Sequence, residues 1–173
     1  TTTVIYDVNK LTNAYWEAIN SGNTLNDRFI LGTNGNDNLS DSSLGSSSRQ
    51  NLSNNVFLGR DGNDTITSVW GNDVVVGGRG ADTIILQPPS PSGPDFFSSL
   101  IVFGDGDGSD EIRNFDQNGD DRFDLRRQSE VDSFADLVIT DIGGSIVISG
   151  MGAETLRLVG TPLAEIGADD FIF

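Results

Sequence analysis

Five aspartates in the chain share one local setting. Gly32-Thr-Asn-Gly35-Asn-Asp37-Asn-Leu39-Ser, Gly59-Arg-Asp-Gly62-Asn-Asp64-Thr-Ile66-Thr and Gly77-Gly-Arg-Gly80-Ala-Asp82-Thr-Ile84-Ile all read Gly-x-x-Gly-x-Asp-x-(apolar)-x. Ser68-Val-Trp-Gly71-Asn-Asp73-Val-Val75-Val keeps the pattern without its first glycine, and Asp105-Gly-Asp-Gly108-Ser-Asp110-Glu-Ile112-Arg repeats it after a gap. A carboxylate set among Asn, Ser and glycine-rich backbone is a collection of hard oxygen donors. Such donors suit a hard divalent cation: calcium takes about 6–8 oxygens in a loose geometry, whereas magnesium demands a tighter octahedron. Calcium is therefore the expected cofactor, as several ions.

The spacing says which elements must hold these donors. Asp64, Asp73 and Asp82 are nine residues apart, and Asp37 lies 27 residues before Asp64. The intervening copies at Asn55 and Ser46 are degenerate but in phase. Asp110 follows Asp82 by 28 residues, across the proline run 88–94, which reads as a surface insertion over about 86–99. The first six residues of each repeat form a turn whose glycines allow otherwise forbidden backbone conformations. The last three form a short strand whose central apolar side chain points inward. If two repeats complete one coil, residues 18 apart stack: Asp64 with Asp82 in one column, and Asp37, Asn55 and Asp73 in the other. The expected metal-binding positions are Gly32, Asn34, Asn36, Asp37, Gly59, Asp61, Asn63, Asp64, Asn72, Asp73, Gly77, Arg79, Ala81, Asp82, Asp107, Ser109 and Asp110. Plain turns between antiparallel strands would explain the Gly and Asn content, but not a fixed nine-residue phase of Asp and apolar residues.

Over about residues 30–115 this pattern resembles the RTX (haemolysin-type calcium-binding) repeat family. Ile101–Ile112 is similar to the family's last repeat, and Phe115-Asp116…Asp121-Arg-Phe-Asp124-Leu125 to the non-repetitive cap that follows it. Asp169-Asp170-Phe171-Ile172-Phe173 resembles the acidic-then-apolar end of type I secretion substrates. The resemblance implies an all-β fold, a right-handed parallel β-roll. It implies a secreted, extracellular module exported unfolded through a type I secretion apparatus and folded outside on about four calcium ions. It also resembles the modules that follow the catalytic domains of mannuronan epimerases, which implies an extracellular polysaccharide as the alternative partner. Contacts expected for that reading are Trp70, Arg79, Arg113, Arg126 and Arg127.

The remaining residues must close the ends of the stack, since a coil of repeats exposes its apolar termini. Val8, Leu11, Tyr15, Ala18 and Ile19 recur at helical spacing, so a helix over about 7–21 is expected within an N-terminal cap, 1–30. The roll occupies 31–115, and 116–173 forms a C-terminal β cap with strands around 137–139, 145–148 and 155–159. All three belong to one structural domain. Asp116, Asn118, Asp120 and Asp121 around Gly119 are a further candidate cation cluster. The first residues, Thr1-Thr2-Thr3, read as a piece of a longer protein.

Composition excludes several classes. With 26 acidic against 10 basic residues and a net charge of −16, the chain repels nucleic acid and anionic membrane surfaces. It has neither Cys nor His, so thiolate or imidazole zinc sites, Cys nucleophiles and Ser-His-Asp triads are absent. No stretch reaches the apolar length of a membrane span. The recognisable aspartates belong to the repeats and there is no phosphate loop, so the chain reads as non-catalytic.

Overall fold

A computed structural model describes residues 29–41, 54–68, 71–86, 98–115 and 121–173. The helix expected over 7–21, Trp70, most of the proline-rich insertion and the acidic run 116–120 lie outside the described residues. Within them the chain forms short strands that alternate between two sheets. The first sheet is built from β1 (Phe29–Leu31), β3 (Val56–Asp61), β5 (Val74–Arg79), β7 (Leu100–Gly104), β9 (Arg122–Arg127) and β13 (Phe171–Ile172), all parallel and in that order. The second runs β2 (Asn38–Ser40), β4 (Thr65–Thr67), β6 (Thr83–Ile85), β8 (Ser109–Arg113) and β12 (Glu154–Val159) in parallel. It is completed by antiparallel β11 (Ser145–Met151) and β10 (Val138–Asp141). The glycine-rich turns of the nonapeptides carry the chain from one sheet to the other, which makes the molecule a parallel β-roll.

The apolar position of the repeat builds the core. Ile30, Phe57, Val75, Ile101, Phe123 and Phe171 share one rung across the first sheet. Leu39, Ile66, Ile84, Ile112, Leu158 and Ile146 share one rung across the second. Both rungs belong to a single apolar cluster between the sheets. Burying each such side chain contributes about 1.5–3 kcal/mol relative to leaving it in water. Phe115, Phe123 and Phe171 stack in series at centroid distances of 4.7 and 5.5 Å, so the chain's last strand is sewn into this core.

The outer faces differ. On the first sheet Val56, Val74, Val76 and Val102 form a second buried apolar cluster, flanked by Leu58 and Leu100. A parallel strand buried on both faces reads as a continuous apolar run, as Val74-Val75-Val76 does. On the second sheet the outer rungs carry Thr65, Thr83, Glu111 and Arg157, then Thr67, Ile85 and Arg113.

One stacking expectation is corrected. Val56 pairs with Val74, and Thr65 with Thr83, so 18 residues make one coil as expected. Asn38 however pairs with Thr65, 27 residues on, which places Asp37 in the column of Asp64 and Asp82 rather than that of Asn55 and Asp73. The reason is that the coil between β2 and β4 spans 27 residues, one nonapeptide more than the 18-residue coils from β3 to β5 and from β4 to β6. Asp110, 28 residues after Asp82, joins the same column because β8 pairs with β6 in register across the proline-containing coil.

Candidate metal centre

The turns that leave the first sheet for the second line one edge of the roll. Here the aspartates are strung together by their own backbone. The Asp37 N–H donates to Asp64 Oδ1 at 2.8 Å, the Asp64 N–H to Asp82 Oδ1 at 2.8 Å, and the Asp82 N–H to Asp110 Oδ1 at 2.9 Å. A parallel ladder uses the residue before each aspartate: Asn36 Oδ1 accepts from the Asn63 N–H at 2.8 Å, and Asn63 Oδ1 from the Ala81 N–H at 3.0 Å. The turns are thus fixed at a constant rise, and the carboxylates of Asp64, Asp82 and Asp110 each have one oxygen committed to the ladder.

The second oxygen of these carboxylates is the chemically informative one. Asp64 Oδ2 and Asp82 Oδ2 are buried and have no hydrogen-bond partner. A carboxylate oxygen buried without a donor is costly, and native structures rarely tolerate one unless something outside the protein satisfies it. The glycines show where these oxygens point. A methyl group on Gly59 would strike Asp64 Oδ2 and the Gly77 carbonyl oxygen together, and one on Gly77 would strike Asp82 Oδ2. One on Gly32 would meet the Gly59 carbonyl oxygen, with Asp37 Oδ2 at 3.0 Å. The oxygens of one turn and the carbonyl of the next converge beside the repeat's first glycine, in a cradle that any side chain would fill.

Electrostatics agree with that geometry. Burial is the leading cause that raises the carboxyls of Asp64, Asp82, Asp107 and Asp110 above the ordinary 3.8, to about 6, 7 and 8 for the last three. Neighbouring aspartates raise them further: Asp37 for Asp64, Asp64 for Asp82, and Asp82 for both Asp107 and Asp110. The edge is a line of buried like charges that a divalent cation would neutralise. Among the described residues no three acidic side chains meet at one point. A cation here would take one or two carboxylates and complete its shell with carbonyls, which suits calcium better than a carboxylate cage.

The remaining expected residues fall as follows. Gly32, Asp37, Gly59, Asp64, Gly77, Asp82, Asp107 and Asp110 lie on this edge, and Asn36 and Asn63 hold its ladder. Asn34 and Asp61 sit in its first two turns. The Arg79 carbonyl accepts the Gly62 N–H at 2.8 Å, and Ser109 Oγ takes the Thr155 hydroxyl at 3.0 Å. Asn72 and Asp73 lie on the opposite edge, where the chain returns to the first sheet. There Asn55 N–H donates to Asp73 Oδ1 at 2.6 Å, Ser98 N–H to Asn72 Oδ1 at 3.0 Å, and Ser99 N–H to Asp121 Oδ1 at 2.6 Å. Sequence reasoning missed Asn54, whose Oδ1 accepts the Asn72 N–H at 2.9 Å, and Glu154, whose Oε1 accepts the Gly106 N–H at 2.9 Å. Asn54 was legible as the fifth position of a degenerate repeat. Glu154 is 48 residues from its partner and carries no repeat signal.

The arginines expected at a polysaccharide surface are not gathered on one sheet. Arg113 is on β8 in the second sheet, paired with Glu111 at 2.7 Å, whereas Arg79, Arg126 and Arg127 are on strands of the first. Arg126 grips Asp124 with two bonds of 2.9 and 2.7 Å.

Comparison with known proteins bears on this edge. The family model described as "RTX calcium-binding nonapeptide repeat (4 copies)" matches residues 51–84. No curated protein matches the chain. Among solved structures, an extracellular lipase, LipA, from Serratia marcescens is similar with a TM-score of 0.58 and 22% identity. That match covers 84% of this chain and only 20% of the lipase chain. The R2 subunit of a mannuronan C5-epimerase from Azotobacter vinelandii is similar with a TM-score of 0.57 and 18% identity, covering 83% of this chain and 91% of that one. At these identities both neighbours speak for the fold.

Proposed function

Because the chain carries RTX calcium-binding nonapeptide repeats on a parallel β-roll, we propose that it is a calcium-triggered folding module of a larger secreted protein. Its calcium ions sit between successive turns of the Asp37–Asp64–Asp82–Asp110 edge. The observation that carries this reading is the pair of buried, donor-less oxygens on Asp64 and Asp82. Calcium bound there would supply positive charge to oxygens the protein leaves unsatisfied. Asp64 and Asp82 would ligate it through Oδ2, with carbonyls such as that of Gly77 beside them.

Ions held only by the folded turns stabilise only the folded state. At a net charge of −16 the calcium-free chain repels itself. In a calcium-poor compartment the roll is at its least stable, which suits passage of an unfolded chain through a type I secretion channel; in calcium-rich surroundings outside the cell the coils close and hold. Extracellular modules hold calcium with dissociation constants of roughly 10⁻⁴–10⁻³ M, weak enough to stay empty inside the cell and still fill outside it. The arginines lie on two sheets, and two of them are held in ion pairs. That arrangement favours calcium over a polysaccharide as the primary ligand. Circular dichroism through a calcium titration tests the proposal. The melting temperature of the β-sheet spectrum is expected to climb cooperatively with calcium and to fall back on chelation. A chelated chain that keeps its full spectrum and melting temperature overturns it.

A further inference from the structure

The two edges of the roll present the same aspartate in two chemical states. In the second-edge repeat a serine stands where the Asp37, Asp64 and Asp82 repeats place their first glycine. Ser68 Oγ donates to Asp73 Oδ2 at 2.6 Å, while Asp73 Oδ1 accepts the Asn55 N–H at 2.6 Å. Both carboxylate oxygens are therefore satisfied by the protein, and both partners are buried. The space that the first glycine leaves open beside Asp64 and Asp82 is taken by the serine side chain. A hydroxyl delivers a single hydrogen bond in the direction where a cation would otherwise be coordinated.

A second instance occurs at the opening turn of the first edge. The Thr33 N–H and hydroxyl both donate to Asp37 Oδ2, at 2.6 and 2.8 Å. Residues at the same position of the next two turns, Arg60 and Gly78, have φ of 86° and 96°. Asp64 and Asp82 receive no such bond at Oδ2. The presence or absence of a donor at the start of the turn thus decides whether the outer carboxylate oxygen is closed or open.

Building on the calcium reading above, we propose that Ser68 replaces calcium at the Asp73 turn. The hydroxyl locks that turn without metal, and ions are left to the first edge, where the outer oxygens of Asp64 and Asp82 remain open. Calcium titration calorimetry on the intact chain tests this with three proteins. Asp82→Asn is expected to bind one ion fewer than the wild type. Asp73→Asn, whose amide keeps an acceptor for Asn55 and gains a donor for Ser68, is expected to keep the wild-type stoichiometry and an affinity within twofold. Loss of an ion in Asp73→Asn overturns the proposal, whereas a wild type that binds no calcium overturns the underlying calcium reading instead. Ser68→Ala adds a readout that does not depend on counting ions. Deleting the hydroxyl should lower the melting temperature by a similar amount with and without calcium, because the bond it removes is not a metal contact. If Ser68→Ala leaves the melting temperature unchanged in both conditions, the hydroxyl does not hold that turn and the proposal fails.

Discussion

On the first edge of the roll the outer oxygen of Asp82 is buried and meets no donor, whereas on the second edge the corresponding oxygen of Asp73 receives the Ser68 hydroxyl. The backbone ladders are otherwise alike: each aspartate accepts the N–H of the equivalent residue one coil earlier, Asp64 for Asp82 and Asn55 for Asp73. One side chain at the head of the turn therefore changes what the same nonapeptide requires. A closed turn completes its hydrogen bonds from the chain itself. An open turn leaves a buried charge whose cost must be met from outside the protein, and that dependence is what makes folding responsive to an ion.

The largest effect expected from this contrast is that of calcium itself. With two open turns, dissociation constants of about 10⁻⁴–10⁻³ M and calcium near 10 mM, linkage contributes roughly 1.4–2.7 kcal/mol per ion. For a domain of this size that is a rise in melting temperature of about 5–20 °C over the chelated chain. Scanning calorimetry in calcium and in chelator measures it. A rise that saturates with sodium or magnesium as readily as with calcium would show that charge screening, and not the open carboxylates, drives the transition.

Acidity should act in opposite directions on the two forms. Burial holds Asp82, Asp107 and Asp110 near 6, 7 and 8 in the calcium-free fold, against an ordinary 3.8. The folded chain then binds more protons than the unfolded chain between about pH 4 and pH 8, so calcium-free stability is greatest on the acid side and is lost as pH rises through that window. With calcium present the ions need ionised carboxylates, and protons compete with them. Melting temperature is expected to rise from pH 8 to pH 5 in calcium-free buffer and to fall over the same range in saturating calcium. Parallel slopes in the two conditions would break the link between open carboxylates and metal.

Asp82→Asn sharpens the comparison at one residue. The amide keeps an oxygen for the Asp64 N–H, but it removes the charge that calcium needs. In calcium the variant should lose about 1.4–2.7 kcal/mol, the linkage of one ion. Without calcium it should match or exceed the wild type, because an unpaired buried carboxylate has been replaced by a neutral group. Chemical denaturation with and without calcium checks this crossover. A variant equally destabilised in both conditions would make Asp82 a purely structural residue.

How much of this was legible depended on how far each signal travels along the chain. The eighth-position pairs, Phe57 with Val75 and Ile66 with Ile84, and the stacking of Asp64 on Asp82 follow from strict periodicity, because a constant coil length turns sequence spacing into height. Asp37 was placed on the wrong edge because two repeats of spacing and one coil of rise stop being the same quantity where a coil is longer. Ser99 and Asp121 were missed as ladder members for the same reason, since their coils carry insertions and no longer keep phase. Ser68 was visible as a missing glycine, but sequence alone does not show that its hydroxyl lands on Asp73 Oδ2. The β13 strand pairs with β9 across more than 40 residues, a contact with no local signature.

The smallest expected effect tests the backbone that presents the open carboxylates. Arg60 is exposed and takes φ 86°, and its counterpart one coil on, Gly78, takes φ 96°. A left-handed conformation costs a residue with a Cβ about 1–2 kcal/mol relative to glycine, partly offset by the greater freedom of glycine in the unfolded chain. Gly78 has no alternative, since a side chain there would strike the Arg60 carbonyl oxygen beneath it. Arg60→Gly should therefore stabilise the roll by roughly 0.5–1 kcal/mol, a gain of about 1–4 °C in melting temperature, with calcium stoichiometry unchanged. It also removes a positive charge from an acidic edge, so calcium affinity should hold or improve. A loss of stability in both calcium and chelator would show that the Arg60 side chain, not its backbone, is what that turn needs.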